Sequence, residues 1–383
     1  MTFCSLLLLL SLITIPQETL MQSGMNNIEK ILERVRDHDF HPMTDNNTMT
    51  YDRDLNVAGV ANLDDTDWKV RLLAVRDLIG AGKERSAEIA RGLKDDSPFV
   101  RQVSAMALGI LRAGSTVPEL EDVVGMDPNS IVRSQAVIAL GQMESHSSLD
   151  LLRDRLKNDP SSDVRHQCEL AIYQIERGKG VTLKNRQAWL DLDESTFEIV
   201  KEGVSAPDFA LEDTDGKKWQ LSSSRGKEWV VLIWVFADWC PVCHGEFHDL
   251  MDLQNEFREA GARVFTIETH DLYRARVMVG KELDPAYWFA KTSFKEAYTN
   301  RIWWPHLIDH AGAVASVYGA DPLTFAVHSE FINRPATVII DKEGIVRLAY
   351  HGTYWGDRPS IEQTLKMIKS GDFSFQHPKR LNK

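Results

Sequence analysis

Four strings in the first half of the chain, "WKVRLLAVRDLIG", "PFVRQVSAMALGI", "SIVRSQAVIALGQ" and "SDVRHQCELAIYQ", share a Val-Arg step and the apolar spacing behind it. Their arginines, Arg71, Arg101, Arg133 and Arg165, stand 30, 32 and 32 residues apart. A period of that size means stacked supersecondary units, which commits this half of the chain to a solenoid. Three residues after each arginine comes Ala74, Ser104, Ala136 or Cys168, and seven after it comes Leu78, Leu108, Leu140 or Ile172. These offsets share one helical face, with a small residue where the next helix must approach. Second amphipathic segments such as "ERSAEIARGLKD" and "HSSLDLLRDRLKN" lie between them, so each unit is a helix pair. The arginines read either as an anion-binding ladder or, more simply, as register pins beside the acidic turns at Asp67, Asp96, Asp127 and Asp163. Cys168 fills the slot of an alanine or serine and reads as a buried small residue.

With the Val-Arg step, the small residue and "ALG" recurring in register, residues 63–178 resemble HEAT repeats of the short bacterial kind. The resemblance implies an extended surface for a protein partner. Ahead of the repeats, the apolar run Phe3 to Ile15 has the length of a signal-peptide core and is too short to span a bilayer. Residues 1–22 are expected to be a signal or anchor segment and the protein to be exported. Residues 23–62 are expected to be a polar spacer with a short helix around Ile28 to Val35.

The chain has 383 residues, 43 % of them apolar, which is material for two or three domains. A formal net charge of -12 argues against a nucleic-acid partner, because phosphate binding draws on an excess of Lys and Arg. Only two of the four cysteines, Cys240 and Cys243, are close neighbours, so stability must come from packing rather than from a disulfide framework.

A linker over 179–203 leads to a second domain over 204–371, with a tail over 372–383. Phe209 to Leu221 reads as a hairpin around Asp215-Gly216, and Trp229 to Phe236 as a fully buried strand. "WCPVCHGEF" follows that strand and opens an apolar-periodic helix expected over Val242 to Ala260, with Pro241 in the first helical position. Cysteines at a helix N-terminus meet exposed amides and the positive end of the helix, both of which favour a thiolate. Cys240, at the cap, is expected to be the nucleophile, and Cys243 to resolve the mixed disulfide. His244 either adds positive charge beside Cys240 or is a half-exposed surface residue.

"WCPVC" between strand and helix, the opening "APDFALEDTDGK" and the later "SVYGA…NRPATVIIDKEGIVRLAYHG" resemble the thioredoxin superfamily. Within it, the likeness is to the TlpA-like redoxin branch and to the alkyl hydroperoxide reductase/thiol-specific antioxidant family. The expected architecture is therefore an all-α HEAT-like solenoid followed by an α/β thioredoxin-like fold. The resemblance implies a cis bond before Pro335, facing the dithiol, with Arg334, Trp239 and Pro241 along the substrate groove. It also marks Glu246 as a proton carrier for Cys243, against the competing reading of a solvated helix charge. Two departures matter. Trp234 stands where many thioredoxins carry a buried Asp or Asn, which leaves proton transfer to Glu246, water or Glu268. Peroxiredoxins need Pro seven and Thr or Ser three residues ahead of the peroxidatic cysteine; those positions are Ile233 and Ala237 ahead of Cys240, and Phe236 and Cys240 ahead of Cys243.

"CPVCH" also satisfies the c-type haem attachment pattern. The buried strand before it, the helix after it and the distant "RPATVIID" strand fit a dithiol instead, so no haem and no other cofactor is expected. His270, His306, His310, His328 and His351 lack tight metal-ligand spacing and read as structural or surface residues. The aromatic insertion "ELDPAYWFAKTSFKEAYTNRIWWPH" either lines the groove or fills the core. The leading expectation is a thiol–disulfide oxidoreductase acting on protein thiols or disulfides and docked by its repeats. A thiol peroxidase and a HEAT scaffold with an accessory redoxin domain are the alternatives.

Overall fold

The computed structural model describes residues 28–37, 43–44, 67–282, 298, 301–352 and 357–375. The expected signal or anchor segment, most of the expected spacer, most of the aromatic insertion and the end of the tail lie outside them. Among the described residues no helix is long and apolar enough to cross a membrane.

The first half is a helical stack. Helix α1 (Ile28–Arg36) precedes a two-residue strand β1 (Met43–Thr44), and the repeats follow as α2 (Asp67–Gly80), α3 (Ser86–Arg91), α4 (Pro98–Leu111) and α5 (Val117–Met126). Helices α6 (Ser130–Met143), α7 (Leu149–Asn158) and α8 (Ser162–Glu176) complete them. The helix read inside the spacer is α1, and it is part of the stack. Its Ile28, Ile31, Leu32 and Val35 form one apolar face buried in the repeat core, and Arg36 pairs with Asp95 at 2.5 Å.

Register comes from a ladder of aspartates. Asp95, Asp127 and Asp159 each accept the backbone N–H two residues on, at 2.9 Å. Arg101 then pairs with Asp127 at 2.6 Å and Arg133 with Asp159 at 2.9 Å, so these two arginines pin successive repeats. Arg165 donates to the Asp159 carbonyl. Arg71 departs from the pattern and donates to the Leu323 carbonyl of the second domain at 3.1 Å. Cys168 is fully buried in this core, and burial pushes its thiol up to about 12.

The small residues permit close helix approach: a Cβ on Gly109 would lie 2.8 Å from the Ala139 backbone. Gly109→Val is expected to destabilise the repeat stack by about 1–3 kcal/mol, as overpacking does, with unfolding of the helical signal at lower denaturant as the readout.

The connecting segment packs instead of merely spanning. Helix α9 (Leu183–Leu190) begins with a capping box between Thr182 and Asn185. Trp189, Leu192 and Phe197 bury into the repeat core, where Phe197 lies 5.3 Å from Trp68.

The second domain contains β2 (Ala210–Asp213), β3 (Lys218–Gln220), β4 (Trp229–Trp234), α10 (Pro241–Asp252), α11 (Gln254–Glu259), β5 (Ala262–Glu268) and α12 (Leu272–Met278). It continues with β6 (His306–Ile308), α13 (Ala313–Tyr318), β7 (Phe325–Val327), β8 (Glu330–Ile332), β9 (Ala336–Ile340), β10 (Val346–His351) and α14 (Ile361–Ser370). Seven strands form one sheet in the order β10-β9-β4-β5-β6-β2-β3. Strand β4 runs parallel to β5 and antiparallel to β9, which gives the mixed sheet of a thioredoxin-like fold.

Strand β4 is buried on both faces, as its unbroken apolar run requires. Val231 and Ile233 join α10 and α14 in one core, while Leu232 and Trp234 join α13 in another. The helix expected over Val242 to Ala260 breaks at Leu253, whose φ of -96° and ψ of 17° separate α10 from α11. In the tail, Phe373 packs tilted against Trp229 and Phe375 edge-on against Tyr350.

Strands β7 and β8 form an antiparallel hairpin separate from the main sheet, and β1 pairs parallel to β7.

Candidate active site

Strand β4 and the turn after it deliver Cys240 to the N-cap of α10 and Cys243 to its first turn, because Pro241 sets the helical φ at the first position. Both residues are fully buried, and their sulfurs lie 2.8 Å apart. Cys240 Sγ accepts the Cys243 N–H at 3.3 Å. Cys243 Sγ faces the Phe236 N–H at 3.5 Å and the Arg358 guanidinium at 3.6 Å.

These partners decide where charge resides. Burial raises the Cys240 thiol above its ordinary value, and the neighbouring Cys243 sulfur raises it further. At Cys243 burial also opposes ionisation, but the hydrogen bond from Cys240, the Arg358 charge and the Phe236 N–H outweigh it and lower the thiol. Of the two thiols Cys243 is therefore the more readily ionised, the reverse of what the helix cap alone suggests.

Arg358 is the residue that sequence reasoning missed. It donates to the Trp234 carbonyl and forms a two-pronged pair with Glu246, with Nε to Oε1 at 2.6 Å. Glu246 is thus neither a solvated charge nor a lone proton carrier. Burial raises its carboxyl, with the guanidinium opposing. Arg358→Met is expected to raise the midpoint at which Cys243 becomes reactive by about 1–3 pH units, because removing a nearby cation disfavours the thiolate. Alkylation rate against pH measures it.

Three readings of the groove residues change. Among the described residues there is no cis peptide bond, so the bond before Pro335 is trans. Arg334 is held on the trans path by its N–H, which donates to the carbonyls of Ala320 and Asp321, and the buried Pro335 carbonyl accepts the Gly352 N–H at 2.7 Å. The Arg334 side chain pairs with Asp321 at 3.4 Å, and the guanidinium at Cys243 is that of Arg358. Trp239 and Pro241 are buried rather than lining an open groove.

His244 is fully buried, not half-exposed: Nε2 donates to the Asp238 carbonyl at 2.7 Å, and Nδ1 meets the Tyr298 hydroxyl. Tyr298 stacks on the His244 ring at 5.7 Å, which places one residue of the aromatic insertion against the first turn of α10.

A buried ionic network adjoins the dithiol. Arg274 Nε donates to Asp238 at 2.7 Å, and its Nη atoms donate to Glu330 at 3.1 and 3.2 Å. Glu330 also accepts the Trp239 indole N–H at 2.5 Å. Burial opposes its ionisation, but Arg274 holds its carboxyl down at about 2. Glu268 is held below the ordinary carboxylate range by hydrogen bonds from His270 and His306, against its burial. It is therefore a fixed anion rather than a proton carrier at neutral pH. Among the described residues no three His, Cys, Asp or Glu side chains converge on a metal site.

Residues 203–349 match the AhpC/TSA family model, and residues 59–139 and 89–172 match HEAT repeats. The chain is 27 % identical over 177 residues to the thiol-disulfide oxidoreductase ResA of Bacillus subtilis, covering 46 % of this chain and 81 % of that one. It is 28 % identical over 174 residues to the chloroplastic peroxiredoxin Q of Populus jackii, covering 45 % and 70 %. Among solved structures, the Plasmodium vivax 2-Cys peroxiredoxin aligns over 45 % of this chain and 96 % of its own, at 20 % identity and a TM-score of 0.35. A segment that matches the AhpC/TSA family model thus follows one that matches HEAT repeats.

Proposed function

We propose that the protein is a thiol–disulfide oxidoreductase whose Cys240–Cys243 pair exchanges two electrons with protein substrates. The observation that carries this reading is the pair itself, two sulfurs 2.8 Å apart at a helix start with cationic and N–H partners gathered on one of them. In the reductive direction the Cys243 thiolate takes the Cys240 proton, and Cys240 attacks one sulfur of a substrate disulfide. The substrate S–S bond breaks, and the displaced thiolate leaves and is protonated. Cys243 then gives its proton to Glu246 and attacks the Cys240 sulfur of the mixed disulfide. The second substrate thiol leaves, and a Cys240–Cys243 disulfide remains, two electrons having passed to the substrate. The reverse sequence oxidises a dithiol. Similarity to a protein named as a thiol-disulfide oxidoreductase supports this reading. The repeat row α3, α5 and α7 is the surface proposed to meet a protein partner.

A peroxidase is the second reading, favoured by the Arg358 guanidinium at Cys243 and the likeness to a peroxiredoxin Q. Ile233, Ala237 and Phe236 at the pocket-forming positions weigh against it. The two separate in one comparison, in which the reduced protein is mixed with a disulfide-bonded protein such as insulin or with hydrogen peroxide. Disulfide reduction with slow peroxide consumption is expected. A fast peroxide phase without disulfide exchange would reverse the assignment.

A further inference from the structure

A dithiol that reacts with protein disulfides has to be reached, yet both sulfurs are sealed. The β7–β8 hairpin is part of that seal. Its Phe325, Val327 and Ile332 belong to the apolar cluster that contains Cys240, Cys243 and Trp239, with Phe325 edge-on to Phe236 at 5.6 Å. The reverse face of the hairpin is held by the repeats. At the tip, Ser329 Oγ meets Ser130 of α6 at 3.0 Å and Asp163 of α8 at 3.2 Å. His328 lies 3.5 Å from the same Asp163 carboxylate and stands edge-on to Trp239 at 4.7 Å. From α8, Gln167 Nε2 donates to Glu330 at 2.8 Å, and Glu330 in turn holds Trp239, the residue next to Cys240. Beside these pins the two domains do not close into a continuous apolar seal. A cavity of about 120 Å³ lined by Ile138, Gln142, Trp189, His270 and Phe331 lies between them. Around that gap the polar pins are joined by a small apolar cluster, Leu170 of α8 against Tyr273 and Val277 of α12, and a mixed interface of this kind can open and reclose more readily than a large apolar one.

We propose that the HEAT module is an intramolecular cover for the redox centre. Helices α6 and α8 clamp the β7–β8 hairpin over Cys240 and Cys243, and substrate gains access only when hairpin and helices separate. This rests on the dithiol reading above and adds to it a gate. Gln167 acts through Glu330 and Trp239, Ser329 through Ser130 and Asp163, and neither is bonded to a sulfur, so they are positioning residues.

The test is alkylation of the reduced full-length chain by a bulky maleimide–polyethylene glycol, with each cysteine followed by mass spectrometry. In the native protein Cys240 and Cys243 are expected to react at least about 100-fold more slowly than in the urea-unfolded chain, because reaction waits for local opening. Gln167→Ala and Ser329→Ala, made separately, should each speed the pair about tenfold, as expected for losing a hydrogen bond to a charged group. Cys168, one residue from Gln167 in the repeat core, should stay protected in both. If Gln167→Ala exposes Cys168 as well, that variant has unfolded and Ser329→Ala decides. A native pair that reacts like the unfolded chain overturns the cover. So do wild-type rates in Ser329→Ala when hydrogen exchange shows its hairpin released. Insulin reduction, run in parallel, keeps the two ideas apart. Slow alkylation without disulfide exchange defeats the dithiol reading alone, and fast alkylation with exchange defeats the cover alone.

Discussion

Cys243→Ser is expected to abolish turnover and to leave a mixed disulfide on Cys240, while Cys240→Ser should abolish both turnover and trapping. The loss should be at least about 10³-fold in each case, because the two sulfurs act as one unit and neither has a substitute. Cys240 is the cap residue at the N-terminal end of α10, and Cys243 lies one turn on against Phe236 and Arg358. Once Cys240 is tied to substrate, only Cys243 stands close enough to release it. The measurement is trapping of a disulfide-bonded protein, with the modified residue mapped by mass spectrometry. A stable adduct on Cys243 in Cys240→Ser would exchange the two roles.

Arg274→Met should be the most damaging single change away from the sulfurs. The Arg274 guanidinium neutralises Asp238 and Glu330, both nearly or fully buried, and removing one partner of a buried ion group costs about 3–5 kcal/mol at neutral pH. The pH dependence has a definite sign. Glu330 sits at about 2 in the folded protein, below the ordinary glutamate value, so the stability it confers is complete above that ordinary value and is lost as pH falls towards 2. In the variant Glu330 loses the cation that holds it ionised and takes up its proton more readily, so the gap between variant and wild type should narrow below about pH 4. Thermal melts across pH 3–8 check this. A gap that widens in acid would mean that Arg274 does not neutralise these carboxylates.

What was legible in the sequence is what obeys a period or a local motif. The 32-residue spacing marked Arg101 and Arg133 as register pins, though their carboxylate partners are Asp127 and Asp159 of the following turns and not the acidic residues just ahead of each, and a buried strand followed by Cys-Pro-Val-Cys placed the sulfurs at a helix start. Arg358 was not legible. It lies in an aperiodic stretch before α14 and reaches Cys243 only through space, 115 residues along the chain. The hairpin escaped for a different reason. His328 and Ser329 form its two-residue turn with φ of 48° and 57°, a left-handed conformation usually announced by Asn-Gly or Asp-Gly. Its short apolar strands, "FAV" and "EFI", carry no alternation of their own because the repeats cover the outer side. A trans bond before Pro335 follows from the turn that anchors Arg334, a constraint outside the motif.

The hairpin contacts also impose an order on synthesis. Gln167 and Glu330 are 163 residues apart, Arg71 and Leu323 are 252 apart, and β1 pairs with β7 from the far side of the whole repeat stack. Contacts of such long range close late, after the locally connected helices have already stacked. On a growing chain the repeats, β4 and α10 are complete before β8 is made, so the sulfurs form ahead of their cover. During that interval they lie open to whatever thiols, disulfides or oxidants surround the nascent polypeptide. The oxidation state first enclosed beneath the hairpin is the one the chain carries when β8 arrives.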